Sequence, residues 1–407
     1  MTYLNAKKYI NSAGDAKQES ESNILAILDA LGNPHKRIKY LRLAGSNGKT
    51  VCAEMLTSIM SAAGYCVGCL RMPLRDEPRE NIYVGKSCLS MNEFSELTSQ
   101  IRTLSAQLSL SLTKAEILLA VALLSFRNNN CDLYIIECDH FGEDPSRFLP
   151  APFATVICGT IPSNNASQIS RIRSYIIKGV QEIVSAPQNN EAYKIISDTC
   201  ISVNCRLTLP SKNKISIEKM TLGGTDFTYK GRSYKLGLCG KFQVSNAVLI
   251  LETVDMLLRK GFTIPQNAVE QGISKIKIPA KFEIISLSPL IIVDSTHTKV
   301  AIETVTDSLA DFKAMTGNKI RVCLPSGDIV EDYVHILKKR EYEIEKVVVF
   351  DPDEKINPDG YIIPVKTVKS LVKAALDSLP NDTILLISGD YPFVNPVRYQ
   401  LLSTLGF

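Results

Sequence analysis

The chain has 407 residues, enough for two or three domains, and its 45% hydrophobic and 22% charged residues are typical of a globular protein with sizeable cores. Its formal charge of +4 is too small to indicate nucleic acid or an anionic membrane as a partner. Residues 1–20 lack the apolar region of a secretory signal, and the longest apolar run, residues 115–126, is shorter than the roughly 20 residues of a membrane span. We therefore expect a cytoplasmic protein. We also expect a monomer that acts on small molecules, although composition alone does not lead to these two expectations.

The N-terminal part of the chain alternates short apolar runs with segments of helical length. Because the runs are apolar throughout, both faces of the sheet that they form should be covered by helices. This alternation favours a mostly parallel sheet of the α/β class. The pattern predicts strands at 38–45, 65–72, 131–138 and 153–160, and helices at about 50–63, 92–108 and 113–130, with Asn92 as a helix cap.

Residues 203–238 change character, because apolar and polar residues alternate there around Gly223–Gly224 and Lys230–Gly231. This pattern predicts antiparallel hairpins. The composition changes again near Pro279–Pro289, where we place a domain boundary. A long helix is predicted over 245–262, and a second α/β alternation has its strands at 288–296, 319–328, 345–353 and 383–391.

Eleven cysteines are scattered through apolar stretches, a distribution that suits reduced, buried thiols. Cys66 and Cys69 have CxxC spacing, but a zinc site would need a second pair of ligands, and none follows at zinc spacing. Since both lie in a predicted buried strand, we interpret them as core residues rather than as a metal or redox site.

The segment from Leu43 to Thr50 joins a predicted strand to a predicted helix. Its glycines would let backbone N–H groups approach phosphate oxygens, Lys49 could reach the outer phosphates, and the Thr50 hydroxyl could face Mg²⁺. Residue 43 is Leu where the full phosphate-loop pattern has Gly, so a glycine-rich turn before a helix is the alternative. The strand–loop–helix context favours phosphate binding.

Five segments, taken in order, resemble the folylpolyglutamate synthase/dihydrofolate synthase branch of the Mur ligase superfamily. The stretch AGSNGKT resembles the nucleotide loop of that superfamily, and LGLCGKFQVSNA resembles a later LxGxHQxxNA motif. The resemblance runs from one end of the chain to the other in the order of the family. The similar segments are 26–49, 62–85, 236–262, 278–303 and 386–398.

The resemblance implies an N-terminal ATPase domain of Mur ligase type over residues 1–280, with a phosphate loop, a mostly parallel sheet and a small antiparallel sheet. A smaller Rossmann-like α/β domain would occupy residues 281–407, and ATP would bind between the two. The implied reaction is ligation of an acid to an amino acid. ATP phosphorylates a folate or pteroate carboxylate, the amine of glutamate displaces the phosphate, and Mg²⁺ neutralises charge on the transferred group.

The residues that hold ATP in the family are mostly retained. The resemblance implies that Asn246 contacts the adenine end and that Lys281 takes the place of an inter-domain Arg, whereas Phe242 replaces a His. Taken alone, Asn246 could be a helix cap and Asp294 a strand-end turn. The implied ATP-binding residues are Gly45, Ser46, Asn47, Gly48, Lys49, Thr50, Gln243, Asn246, Lys281, Asp294 and His297.

The residues that hold metal in the family are mostly replaced. A Ser ligand becomes Met72, which offers no hard oxygen, and a His ligand becomes Asn164. A carbamylated Lys becomes Arg173, which stays protonated and cannot form a carbamate. Glu137 is kept, and Thr50, where the folate branch usually has Gly, could join it in holding a single Mg²⁺ with ATP. His140 is a weaker candidate for a ligand.

Three hypotheses are therefore open. The chain is an active or residually active ligase of this family, a non-catalytic nucleotide-binding paralogue with a regulatory or partner-binding role, or a ligase for a different acid with a rearranged site. The retained ATP-binding residues support the first hypothesis, and the missing metal ligands support the second. We expect ATP binding with weak or absent folate ligation, and Arg173 would place a fixed cation where a second Mg²⁺ would sit.

Overall fold

The computed structural model divides into two compact units, residues 1–214 with 245–276 and residues 215–244 with 277–407. The predicted domain extents, 1–280 and 281–407, stay a prediction. In the described parts of the chain, no helix is long and apolar enough to cross a membrane. The structure describes residues 1–14, 21–36, 38–72, 77–138, 144–161, 170, 173–174, 179–221, 223–296, 298–312, 316–353, 356 and 360–406.

The first unit contains an eight-stranded sheet. Its strands are β1 (Tyr40–Gly45), β2 (Val67–Leu70), β3 (Ile82–Val84), β4 (Ser87–Cys88), β5 (Leu133–Glu137), β6 (Ala154–Cys158), β7 (Glu182–Ser185) and β8 (Arg206–Thr208). Across the sheet they follow the order β4-β3-β2-β5-β1-β6-β7-β8, and only the β2–β3 and β3–β4 pairs among these are antiparallel. The predicted mostly parallel sheet is confirmed, and β1, β2, β5, β6 and β7 are buried along their whole length.

Helices pack on this sheet, and among the described residues four of them begin at side-chain caps. The fifth helix starts with a capping box, in which the Thr113 hydroxyl accepts from the Glu116 N–H at 3.3 Å and Glu116 Oε2 accepts from the Thr113 N–H at 2.8 Å. The predicted cap Asn92 is wrong, because the Ser90 hydroxyl caps that helix by accepting from the Glu93 N–H at 3.1 Å. The helices are α1 (Tyr3–Ser12), α2 (Glu21–Ala30), α3 (Lys49–Ala62), α4 (Met91–Gln107), α5 (Lys114–Asn128), α6 (Asn190–Ser202), α7 (Lys241–Arg259), which begins in the second unit, and α8 (Gln266–Ser274).

The second unit contains two sheets. The predicted hairpins are confirmed as the antiparallel sheet of β9 (Ile215–Thr221), β10 (Gly224–Tyr229) and β11 (Arg232–Leu236). The other sheet has the order β12-β13-β17-β14-β15-β16 and is parallel except for the β12–β13 pair. Its elements are β12 (Glu283–Leu287), β13 (Leu290–Asp294), α9 (Lys299–Leu309), β14 (Lys319–Pro325), α10 (Asp328–Lys339), β15 (Glu343–Phe350), β16 (Ile362–Val365), α11 (Val368–Leu376), β17 (Thr383–Ser388) and α12 (Tyr391–Leu405).

Candidate nucleotide-binding site

The loop after β1 is held close to the neighbouring strand β6. Gly45, the last residue of β1, lies opposite Cys158 and has a φ of +109°. A Cβ atom on Gly45 would lie 2.0 Å from the Cys158 carbonyl oxygen, so a side chain would fit here only if the strands moved. The Ser46 hydroxyl donates to the Thr160 carbonyl at 2.6 Å, which ties the loop to the segment after β6.

Gly48 ends the loop and precedes α3 with a φ of +82°. A Cβ atom on Gly48 would lie 2.7 Å from the side-chain oxygen of Asn246, which belongs to α7. The structure thus places Asn246 against the loop after β1, whereas its contact with adenine stays a prediction. Because α3 starts directly after Gly48, the positive end of the helix dipole adjoins the loop.

Lys49 folds back over this loop. Its side chain is buried, and Nζ donates to the Gly45 carbonyl at 2.9 Å. A phosphate bound at the loop would offer this ammonium a charged acceptor, which makes a stronger hydrogen bond than a neutral carbonyl. The predicted strand–loop–helix arrangement is therefore present, with the ammonium beside the loop backbone.

Glu137 lies at the carboxyl end of β5 and is fully buried. Its Oε2 is 3.4 Å from the Thr50 hydroxyl oxygen and 3.4 Å from the Met72 backbone nitrogen. The Thr50 and Glu137 oxygens fit neighbouring ligand positions of Mg²⁺, since metal–oxygen distances near 2.1 Å separate adjacent ligands by about 3 Å. Mg²⁺ is commonly bound through one or two carboxylates together with substrate phosphates and waters. The residues present therefore fit one Mg²⁺.

The segment after β2 carries a buried cation beside this carboxylate. Arg71 forms an ion pair with Glu54 of α3, and its guanidinium lies 3.6 Å from the centre of the Tyr83 ring. The Arg71 N–H donates to the Asn81 carbonyl at 2.7 Å, and the Asn81 amide donates to the Arg71 carbonyl at 2.8 Å. These contacts fix the backbone so that Met72 presents its N–H to Glu137 while its thioether is buried.

A second buried arginine forms a cluster that we did not predict. Arg42 lies on β1, forms an ion pair with Asp144, and donates from Nε to Cys138 Sγ at 3.2 Å. Burial raises the pKa of the Cys138 thiol to about 12, so this group is neutral at pH 7. Arg42 Nη1 also donates to the Ser174 carbonyl at 3.4 Å, directly beside the exposed Arg173. The cluster ties Asp144, which follows β5, and Ser174, which follows β6, to the strand β1.

The second unit brings three predicted residues together. Gln243 is fully buried and donates to the Lys281 carbonyl at 3.4 Å. Asp294, at the carboxyl end of β13, accepts from the Phe282 N–H at 2.6 Å and from the Thr296 hydroxyl. Burial raises the pKa of Asp294, and the nearby charge of Lys281 opposes that shift. The carboxyl end of a strand is the usual ligand side of an open α/β sheet.

Three predicted residues, His140, Asn164 and His297, lie outside the described residues. Within the part of the chain that the structure describes, no group of three or more His, Cys, Asp or Glu side chains could hold a metal. A metal bound at Glu137 and Thr50 would need its remaining ligands from the nucleotide and water.

Comparison with known proteins supports the resemblance to the folylpolyglutamate synthase/dihydrofolate synthase family. No protein-family model matches the chain. The dihydrofolate synthase/folylpolyglutamate synthase of Bacillus subtilis (strain 168) is 24% identical over 416 residues, which cover 92% of this chain and 93% of that protein. The resemblance is therefore confirmed by a relative that matches nearly the whole chain.

Solved structures of similar proteins confirm the fold. Folylpolyglutamate synthase from Thermotoga maritima matches with a TM-score of 0.80 at 22% identity, over 99% of this chain and 97% of that one. The Mycobacterium tuberculosis folylpolyglutamate synthase complexed with ADP and AMPPCP matches with a TM-score of 0.78 at 19% identity, over 99% and 98% of the two chains. The combination of two α/β units, a large mostly parallel sheet and a small antiparallel sheet is thus the fold of these structures.

Proposed function

We propose that this chain, a relative of the folylpolyglutamate and dihydrofolate synthases, binds ATP with Mg²⁺ at the Gly45–Thr50 loop and ligates glutamate to folates slowly or not at all. The names of its relatives support a ligase that acts on folate or pteroate substrates. The complexes of the Mycobacterium tuberculosis protein with ADP and AMPPCP support nucleotide binding. Substrate chemistry and nucleotide binding are separate parts of the proposal, and each has its own test.

Each part of the loop has a role in this proposal. Lys49 and the N-terminus of α3 would bind the outer phosphates, and Gly45 and Gly48 would let the loop backbone approach them. Thr50 and Glu137 would hold Mg²⁺, which supplies charge neutralisation during phosphoryl transfer. In the second unit, Lys281 and Asp294 are proposed nucleotide contacts, together with Gln243 as their buried support.

We expect weak catalysis because of the groups that lie next to the Glu137 carboxylate. One neighbour of its Oε2 is the Thr50 hydroxyl, which suits a metal bound with ATP, but the other is the backbone N–H of Met72. Neither the thioether nor the backbone N–H of Met72 can ligate Mg²⁺. Through these two groups, Met72 therefore contributes no oxygen ligand to the metal. Loss of one preorganised electrostatic contact typically lowers the rate about a hundredfold or more.

The test combines calorimetry with a steady-state ligation assay. We expect ATP to bind, and ADP release with glutamate plus either dihydropteroate or tetrahydrofolate to be at least about a hundredfold below the 10 s⁻¹ that is typical of enzymes. Assays with and without Mg²⁺ show whether residual turnover depends on the metal. Turnover near one per second would contradict the proposal of a weakened site, and absence of ATP binding would contradict the nucleotide site.

A second candidate function is nucleotide binding without catalysis, in a regulatory or partner-binding role. The exposed Arg173 favours it, because a permanently charged guanidinium stands where the resemblance places a carbamylated lysine. If this cation substitutes for a second Mg²⁺, Arg173→Ala should weaken ATP binding, whereas the exposed control Arg102→Ala should not. ATP binding with no ADP release from either pterin substrate would favour this function, and turnover with another acid would favour a ligase of different specificity.

A further inference from the structure

The thiols of Cys66 and Cys131 form a contact that the proposed function does not use. Their Sγ atoms lie 3.4 Å apart. A disulfide bond is about 2.05 Å long, so the two sulfurs would need to approach each other by little more than an ångström to form one. Both residues are half-buried, whereas eight of the eleven cysteines are buried.

The backbone holds these two cysteines side by side. Cys66 directly precedes β2 and Cys131 lies shortly before β5, and the two strands pair in parallel with Val67 opposite Leu133. The Cys66 N–H donates to the Asp132 carboxylate at 2.8 Å, and the Asp132 N–H donates to the Cys66 carbonyl at 2.8 Å. These reciprocal hydrogen bonds fix the amino ends of both strands, so the thiol contact does not depend on a mobile side chain alone.

The other cysteines lack this combination of thiol contact and solvent access. Cys69, which shares the CxxC spacing with Cys66, is 2% exposed, and Cys200 and Cys205 are 2% and 8% exposed. Cys88 is half-buried, but its sulfur accepts from the Arg79 guanidinium at 3.1 Å. The interpretation of Cys66 as a buried core residue is therefore wrong, because Cys66 is half-buried and its thiol contacts Cys131 across the sheet rather than Cys69.

We propose that Cys66 and Cys131 form an oxidisable dithiol, which a peroxide converts reversibly into a disulfide. The Cys66 sulfur attacks one peroxide oxygen, the O–O bond breaks, and a sulfenic acid and water form. The Cys131 sulfur then attacks the Cys66 sulfur, the S–O bond breaks, and a second water leaves. The two thiols lose two hydrogens in total, and the peroxide is reduced to two waters.

Burial supports this order of events. It raises the pKa of the Cys131 thiol, and the adjacent Cys66 sulfur acts in the same direction. Since the thiolate is the reactive form, Cys131 is suited to the second, intramolecular step rather than to attack on a dissolved oxidant. The bond would join the amino ends of β2 and β5, whereas Met72 and Glu137 lie at their carboxyl ends. ATP binding should therefore persist after oxidation.

The experiment treats the folded, full-length protein with hydrogen peroxide and maps its thiols. We expect free thiols to fall by two from eleven, and a peptide that links Cys66 to Cys131 to appear and to disappear with dithiothreitol. Cys66→Ser and Cys131→Ser should each lose the linked peptide, and the half-buried control Cys88→Ser should keep it. The melting temperature should rise on oxidation in the wild type and not in Cys66→Ser, because a cross-link restricts the unfolded chain.

Two outcomes would overturn the proposal. One is a linkage between other cysteines in the folded protein. The other is retention of all eleven thiols in the folded protein under a treatment that oxidises them in urea. Direct mapping of the wild type decides the question even if a serine variant fails to fold. Neither outcome bears on ATP binding, which calorimetry measures separately on the reduced protein.

Discussion

The loop after β1 and the segment after β2 both reach Glu137, but with different chemistry. The loop contributes a hydroxyl from Thr50, beside an ammonium and a helix N-terminus. The segment contributes a backbone N–H from Met72, beside a guanidinium that is already paired with Glu54. In the proposed function, nucleotide recognition and metal binding therefore depend on separate segments, so one can be kept while the other changes.

The largest loss of stability and of ATP binding should come from adding a side chain at Gly45, where the loop lies close to β6. In Gly45→Ala, a Cβ atom would meet the Cys158 carbonyl in a backbone conformation that favours glycine. We expect the free energy of unfolding in urea to fall by about 3 kcal/mol, and ATP binding to be lost. Gly85→Ala is the matched control, because Gly85 also has a positive φ but its Cβ would meet open space. Equal losses in the two variants would contradict the close approach of β1 and β6.

The second-largest effect should come from removing the charge of Arg71, in the segment after β2. Arg71→Met removes the partner of Glu54 and the cation over Tyr83, so we expect the free energy of unfolding to fall by about 2 kcal/mol. Arg102→Met is the control, since exposed Arg102 lies 5.7 Å from the centre of the Tyr9 ring. A smaller loss for Arg71→Met than for Arg102→Met in urea denaturation would show that Arg71 does not organise this segment.

Lys49→Ala tests the loop more directly. Removing the ammonium should weaken ATP binding at least tenfold, about 1.4 kcal/mol, because the charge that faces the phosphates is lost. Calorimetry on this variant and on the exposed control Lys86→Ala gives the comparison. Unchanged affinity in Lys49→Ala would contradict the phosphate-binding role of the loop.

The smallest effect should come from restoring an oxygen beside Glu137. Met72→Ser and Met72→Ala remove the same buried thioether, but only the serine adds a hydroxyl. We expect Mg²⁺ to strengthen ATP binding about threefold more in Met72→Ser than in Met72→Ala, a difference of about 0.6 kcal/mol. Titrations in Mg²⁺ and in a chelator measure this difference, and identical metal dependence would show that a hydroxyl here does not reach the metal.

The sequence predicted those elements whose start, end and apolar face are all determined within a short stretch of the chain. The helix predicted over 50–63 is α3, Lys49–Ala62, because the loop geometry and the apolar periodicity both lie within a short stretch. The strand predicted at 65–72 is shorter in the structure, Val67–Leu70. The Arg71 N–H still bonds to Asn81, ten residues away, but the Met72 N–H bonds to Glu137, 65 residues away, and this long-range partner is not visible in the local pattern.

The long-range contacts of the site were not predictable from one sequence. Arg42 meets Cys138 and Asp144, which are 96 and 102 positions away. The available signal was a charged residue between Leu41 and Leu43 in an otherwise apolar strand, and a buried charge needs a partner. That signal predicts that a partner exists, but not which of the 42 acidic residues it is.

The buried Arg42 links two parts of the first unit in local unfolding. Its guanidinium is bonded to Asp144 in the segment after β5 and to the Ser174 carbonyl in the segment after β6. Movement of either segment away from β1 would remove an acceptor from a charge that is 98% shielded from solvent, as its 2% exposure shows. Local unfolding around Asp144 and around Ser174 is therefore coupled, and the amides of these two residues should exchange hydrogen for deuterium together rather than independently.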